Sequence, residues 1–230
     1  MVKISAGSYD VNKFLHGGYE SDVVTVFYGG PGTGKTNFCL TAAVSQAKKG
    51  NKVIFIDSEG GFSSERVKQL VGQDGNYDSI LENIFLMKPT DFDEQKKSFL
   101  DLGKHLRKEI GLIVVDSITI LYRLEFATAR EKGDEAIQKI NSELVRQIKI
   151  LAEIARKQDI PILVTTQVYK WENEKNMVGG DILKYWSKCL IELENEKGRR
   201  VIYLRKHRSL PEKEMIFQIV NDGIRKRGWI

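Results

Sequence analysis

Gly29-Gly30-Pro31-Gly32-Thr33-Gly34-Lys35-Thr36 satisfies the pattern G-x-x-x-x-G-K-[ST] at every position. Glycines are needed there because backbone N–H groups must close around a phosphate that side chains would obstruct. Lys35 is then placed for the β- and γ-phosphates, and the Thr36 hydroxyl for Mg2+. Just upstream, Val23-Val24-Thr25-Val26-Phe27 is a short β-branched run that predicts a strand. Downstream, a helix is predicted over 36–48, with Gly50 as its stop signal. That order of strand, glycine loop and helix separates a phosphate loop from an ordinary glycine-rich turn. The nucleotide-binding run is accordingly Gly29, Gly30, Pro31, Gly32, Thr33, Gly34, Lys35, Thr36 and Asn37, with ATP and Mg2+ as the expected ligands. No N-K-x-D guanine signature accompanies it.

Outward from the loop, Val53–Ile56, Leu112–Val115 and Pro161–Val164 repeat the signature of a fully buried strand. Helices are predicted between them, over 91–109 and over 135–157, where Ile137, Ile140, Leu144, Ile148, Leu151 and Ala155 form one apolar stripe. Apolar strands alternating with helices imply an α/β fold: a mostly parallel central sheet with helices on both faces. Beyond Asp181 the runs Cys189–Glu194, Arg200–Arg205 and Met215–Val220 are joined by short connections, with a hairpin turn expected at Glu196-Lys197-Gly198. These predict antiparallel C-terminal strands on the same sheet. No linker or repeat interrupts the sequence, so residues 1–230 are expected to form a single domain. The chain is 41% hydrophobic and 29% charged, enough apolar material for one core and too much for a disordered tail. It has no secretory signal, and no apolar run nears the roughly 20 residues of a membrane helix, so no membrane partner and a cytoplasmic location are expected. Cys39 and Cys189 supply neither a disulfide framework nor a zinc spacing, and His16, His105 and His207 no ligand spacing.

Four polar residues follow the predicted strands on the side of the phosphate loop. Asp116 closes Leu112-Ile113-Val114-Val115 and is placed to hold the Mg2+ water shell opposite Thr36. Asp57 and Glu59, in Ile56-Asp57-Ser58-Glu59, compete as the general base for the water that attacks the γ-phosphate. Gln167, just past the 161–164 strand, is placed to sense that phosphate through its amide.

Taken in order, these stretches resemble the RecA/RadA recombinase family. They are Gly30–Thr36, Ile56-Asp57-Ser58-Glu59-Gly60-Gly61-Phe62, Val114-Val115-Asp116-Ser117, Thr165-Thr166-Gln167-Val168, Val178-Gly179-Gly180 and Ser209-Leu210-Pro211-Glu212. They span almost the whole chain and look most like the short archaeal members that lack a helix-hairpin-helix domain before the core. The resemblance implies a RecA-type P-loop NTPase core with Glu59 as the base and Arg66 packed on the adenine. Ser63 stands where the family usually has a further arginine. The resemblance also implies two DNA-facing loops: about 122–134, with Arg123, Arg130 and Lys132, and about 169–181, with Lys170, Trp171 and Lys175. Cations there would neutralise phosphates, and Trp171 would stack on a base. By the same resemblance, Lys206 and Arg208 are candidate fingers reaching a neighbouring subunit's nucleotide, and Pro211 would cap it. Phe126-Ala127-Thr128-Ala129 matches the family's F-x-x-A signature in the wrong place and is read as coincidence.

The formal net charge of +5 is concentrated in residues 182–230, where twelve Lys/Arg face six Asp/Glu. Arg225-Lys226-Arg227 is read as an exposed basic tail, and Tyr185 with Trp186 as packing beside the second loop. The expected function is an ATP-binding, DNA-binding accessory protein of homologous recombination and DNA repair. Its ATPase would be weak and Mg-dependent, with no strand exchange of its own. Family analogy implies single-stranded or branched DNA, a RadA-type recombinase and a junction-resolving nuclease as partners, and is compatible with a homo-oligomer. The alternatives are an active recombinase, a RecA-fold ring ATPase or translocase, and a small-molecule kinase. The kinase would need an acceptor lid that the sequence lacks.

Overall fold

The computed structural model describes residues 2–73, 75–106, 109–171 and 174–228, and at 170, 171 and 174 the backbone alone. The chain opens with β1 (Lys3–Ile4), α1 (Tyr9–Phe14) and β2 (Tyr19–Glu20). The nucleotide-binding stretch follows as β3 (Val24–Gly29) and α2 (Lys35–Ala47), then β4 (Lys52–Asp57). Next come α3 (Ser64–Val71), α4 (Tyr77–Glu82), β5 (Ile84–Met87), α5 (Phe92–His105) and β6 (Ile110–Asp116). Two long helices, α6 (Ile120–Lys132) and α7 (Asp134–Gln158), lead into a hairpin, β7 (Ile162–Trp171) and β8 (Glu174–Met177). The chain continues through α8 (Gly180–Trp186), β9 (Cys189–Glu196), β10 (Arg199–His207), β11 (Lys213–Val220) and β12 (Gly223–Lys226).

Among the described residues the main sheet has ten strands, in the order β12-β11-β10-β9-β3-β7-β6-β4-β5, with β8 paired to β7 alone. β3 lies at its centre, parallel to β7 on one side and to β9 on the other. The strands from β9 to β12 run antiparallel to one another. One face packs on α2, where Phe27, Phe38 and Phe217 stack with successive ring centroids 5.2 Å apart. The other face packs on α7, which contributes the buried Ile140, Leu144, Ile148, Leu151 and Ala155. At the outer edge of β12, the Ser8 hydroxyl donates to the Ile224 carbonyl at 2.5 Å, and the Lys226 N–H donates to Asp10 at 2.8 Å. Among the described residues no helix is long and apolar enough to cross a membrane.

Several local expectations fail for identifiable reasons. The first expected loop, 122–134, is helical, because Leu, Glu, Ala, Arg and Lys dominate it and no glycine breaks it before Gly133, which has φ +97°. Its Phe126 and Ala129 pack inward, so the F-x-x-A match offers no docking element. The second expected loop is the tip and return of the β7–β8 hairpin. The basic run Arg225-Lys226-Arg227 is no free tail: Arg225 and Lys226 pair with Gln218 and Phe217, and the Arg227 N–H bonds to the Ile216 carbonyl. Tyr185 is 74% exposed, so it does not pack as expected. The hairpin turn at Glu196-Lys197-Gly198 is present, with positive φ at Lys197 and Gly198.

Candidate nucleotide site

β3 delivers the chain to the phosphate loop at Gly29, where a Cβ would lie 2.2 Å from the Leu193 carbonyl oxygen of β9. A side chain there would force the two central strands apart. At the other end of the loop Gly34, at φ +109°, caps α2 in a conformation that side-chain-bearing residues rarely adopt. The Thr33 hydroxyl donates to the Gly30 carbonyl at 2.9 Å and braces the turn. Lys35, only 6% exposed, donates through Nζ to the carbonyls of Gly29 (3.0 Å) and Gly30 (2.9 Å). Burial lowers its pKa, against the opposing pull of Glu59 and Asp116.

Asp116 ends β6 fully buried. Its Oδ1 accepts from the Thr165 hydroxyl. Buried Oδ2 has no hydrogen bond of standard geometry, although the Thr36 hydroxyl is near enough to favour the charged form. Burial raises the carboxyl's pKa, Thr165 and Thr36 lower it, and the charges of Glu59 and Asp57 raise it. A Cβ built on Gly61 would lie 3.1 Å from Thr36 Oγ1 and 3.6 Å from Asp116 Oδ2, so the 58–63 loop covers this pair. A hydroxyl and a spare carboxylate oxygen, both hard ligands, facing a lysine-bearing phosphate loop fit Mg2+ with a nucleotide phosphate.

The two candidate bases have different surroundings. Asp57 accepts from the Gly61 N–H (2.9 Å) and the Phe62 N–H (3.0 Å), so both of its oxygens hold the loop. Glu59 Oε1 accepts from Gln167 Nε2 at 2.6 Å. Gln167 in turn accepts through its backbone carbonyl from the Val178 N–H at 2.9 Å, beyond the β7–β8 hairpin. Beside it, Thr166 donates to the Val178 carbonyl at 3.0 Å and meets Thr119 at 2.7 Å. Contacts at the nucleotide site therefore continue directly into the base of the hairpin.

Arg66 Nε donates to Asn37 Oδ1 at 2.8 Å. The rest of its guanidinium reaches the carbonyls of Val220, Asn221 and Gly223 in the β11–β12 turn. Ser63, standing where the family usually has an arginine, caps α3 by accepting from the Arg66 N–H at 3.2 Å. Arg123, Arg130 and Lys132 are exposed on α6. Lys175 pairs with Glu194. The backbones of Lys170 and Trp171 end β7 opposite Lys175 and Glu174, and their side chains lie outside the described residues.

Lys206, Arg208 and Pro211 are elsewhere. His207 aligns with Cys189, which aligns with Thr25 at the entry of β3, so this corner lies at the sheet end opposite the phosphate loop. There Lys206 Nζ donates to the Lys184 carbonyl (2.6 Å) and the Ser187 carbonyl (2.9 Å). Arg208 pairs with Asp22 and, through Nε, with buried Glu20 at 2.8 Å. Pro211 is exposed. The structure thus brings together Lys35, Thr36, Asn37, Glu59, Arg66, Asp116 and Gln167, but not the finger candidates. Sequence reasoning missed Thr165 and the loop-holding role of Asp57. Two threonines directly after the apolar run 162–164 were the available signal for Thr165.

The Rad51 family model matches residues 1–227. A DNA repair and recombination protein RadB of Methanobrevibacter smithii is 40% identical over 225 residues, covering 93% of this chain and 92% of that protein. Its namesake in Methanocaldococcus jannaschii is 39% identical over 216 residues, covering 93% of this chain and 98% of that one. Among solved structures, one described as the RadB recombinase superposes with a TM-score of 0.80 at 33% identity, covering 96% of this chain and 98% of its own. With a phosphate loop, a buried strand-end aspartate and a Glu–Gln contact set in a RecA-type fold, the chain belongs to the Rad51 family and, within it, to the RadB proteins.

Proposed function

We propose that the chain is an ATP-binding, DNA-binding accessory protein of homologous recombination and DNA repair. It hydrolyses ATP slowly with Mg2+ and performs no strand exchange by itself. The relatives' names supply the process, and the 2.6 Å Glu59–Gln167 contact is the observation that supports the ATP-linked role. ATP with Mg2+, when bound, supplies the transferable phosphoryl group and the charge the site must neutralise. Lys35 exchanges the carbonyls of Gly29 and Gly30 for phosphate oxygens. Thr36 and Asp116 hold the metal side, Gly29–Asn37 hold the phosphates, and Arg66 lies beside the base. Glu59 takes the proton of the attacking water, and Gln167 carries the state of Glu59 into the β7–β8 hairpin.

Slow turnover follows from the position of the cations. A positive finger at the γ-phosphate accelerates such reactions by about 10³–10⁵. Here Lys206 and Arg208 lie at the far end of β3, about 20 Å away at a rise of about 3.3 Å per residue. They can serve only a neighbouring subunit's nucleotide, with Pro211 as its cap, so a lone chain lacks them. DNA meets Arg123, Arg130 and Lys132 of α6 and Lys170, Trp171 and Lys175 of the hairpin. A RadA-type recombinase and a junction-resolving nuclease complete the expected partners, in the cytoplasm.

The test is ATP affinity and ATPase rate, with and without single-stranded DNA, for wild type, Lys35→Ala and Glu59→Gln. Lys35→Ala loses nucleotide binding. Glu59→Gln keeps binding and loses about 10²–10⁴ in turnover, the scale of a general base. Unchanged ATP affinity in Lys35→Ala refutes the phosphate-loop assignment. Vigorous DNA-stimulated hydrolysis with strand exchange refutes the accessory role.

A further inference from the structure

The sheet end opposite the phosphate loop carries a cavity of about 520 Å³ beside Arg208. Its apolar floor is Val23 and Val24 at the entry of β3, with Ala152 of α7. Around it stand two aromatic rings and three cations: Tyr185 and Trp186 at the end of α8, Arg156 of α7, Lys188, and Arg208. The Tyr185 ring meets Trp186 edge to face, with centroids 5.6 Å apart and planes at 80°. Lys206 fixes this arrangement, because its bonds to the carbonyls of Lys184 and Ser187 hold the turn that carries both rings and Lys188.

The charge around the cavity is uneven. Asp22, the lining carboxylate, is taken by Arg208. Among the described residues Arg156 and Lys188 have no carboxylate partner, and both are exposed. An aromatic face left in water beside two unpaired cations suits one chemical unit: a base for the ring and phosphates for the cations. The cavity's size is that of a small-ligand site.

We propose that the Tyr185–Trp186 pocket is a second contact for single-stranded nucleic acid, with a base stacked on Tyr185 and flanking phosphates on Arg156 and Lys188. The pocket lies about 20 Å from the phosphate loop along β3, by strand rise, and engages a strand without ATP. It rests on the proposed function only in favouring a strand over a mononucleotide.

The experiment measures fluorescence anisotropy of a labelled oligothymidine, without nucleotide, over a range of salt. Wild type is compared with Tyr185→Ala, Tyr185→Phe, Arg156→Ala/Lys188→Ala and, at the hairpin, Lys175→Ala. Tyr185→Ala weakens binding about tenfold, the scale of one stacked base, and Tyr185→Phe restores it. The double variant lowers the slope of log affinity against log salt by about 1.4, at about 0.7 per phosphate released from a single strand. If the pocket variants keep wild-type affinity and slope while Lys175→Ala loses affinity, the pocket is overturned and the hairpin reading stands. If wild type binds no oligonucleotide, both fall. If Tyr185→Ala impairs ATP-dependent self-association but not strand binding, the pocket serves a neighbour's nucleotide, and the proposal is wrong.

Discussion

Arg66→Ala is expected to destabilise the protein in the absence of any nucleotide. The guanidinium ties three parts of the fold: Asn37 on α2 at 2.8 Å, Gln69 on its own helix at 2.8 Å, and the β11–β12 turn. In that turn it reaches the carbonyls of Val220 at 2.9 Å and Asn221 at 3.1 Å, with Gly223 longer at 3.4 Å. A hydrogen bond to a charged group is worth about 1.5–3 kcal/mol. Arg66 is partly exposed, however, and the carbonyls it leaves lie near the surface and can rehydrate. After that discount the loss is about 1–2 kcal/mol in total. In a chain of this length each kcal/mol moves Tm by about 2–4 °C, so the midpoint should fall by about 2–8 °C. Arg66→Lys does not restore it, because one ammonium cannot span Asn37 and the turn at once. Thermal melts of nucleotide-free protein measure the shift, and amide exchange at 220–223 locates it. If the melt is unchanged while ATP affinity falls, Arg66 serves the nucleotide alone and the clamp contributes nothing.

Two further outcomes test other contacts. Gln167→Ala should leave ATP binding in place but abolish the dependence of DNA affinity on ATP, a coupling that in such systems is about 5- to 150-fold. Oligonucleotide titrations with and without a non-hydrolysable ATP analogue measure it, and full coupling in the variant would rule out the relay. His207 lowers stability in acid. Its side chain is buried, Nδ1 accepts from the Ser209 N–H at 3.1 Å, and Nε2 lies 3.9 Å from Glu20. Burial depresses its pKa, Glu20 opposes, and Lys3, Arg208 and Lys213 add to the depression. The unfolded chain therefore binds the proton more readily, so stability is full above the ordinary histidine value of about 6.5 and falls as pH drops below it. Denaturant midpoints between about pH 8 and 5 should show the decline, and His207→Gln should flatten it. A decline equally steep in His207→Gln removes His207 as its source.

The parallel half of the fold was legible because its strands are apolar throughout and its turns are marked by glycine. Val24–Gly29, Val53–Ile56 and Leu112–Val115 have almost no other way to be buried. The nucleotide site was legible for the same reason, since glycines at 29, 32 and 34 admit few alternatives. The segment 122–134 is helical where the resemblance implies a loop, because its local helix propensity prevails. Arg66 illustrates a different limit: its partners lie 29 positions away at Asn37 and more than 150 away at Val220 and Asn221. No local pattern announces a contact across such a span. The exposed Tyr185 was hidden in the same way, because an aromatic pair at the end of a short helix looks like core until the neighbouring surface is known.

The Ser8 and Asp10 side chains that meet Ile224 and Lys226 govern how this sheet can grow. A strand at the margin of a sheet offers unpaired carbonyls and amides to any extended chain that passes, and association then propagates. On β12 two of those groups are already occupied by side chains, so a guest strand would have to displace bonds before forming any. β5, at the other margin, has no such side-chain plugs among the described residues. Strand addition at the basic, antiparallel margin is thereby opposed by contacts already made within the chain.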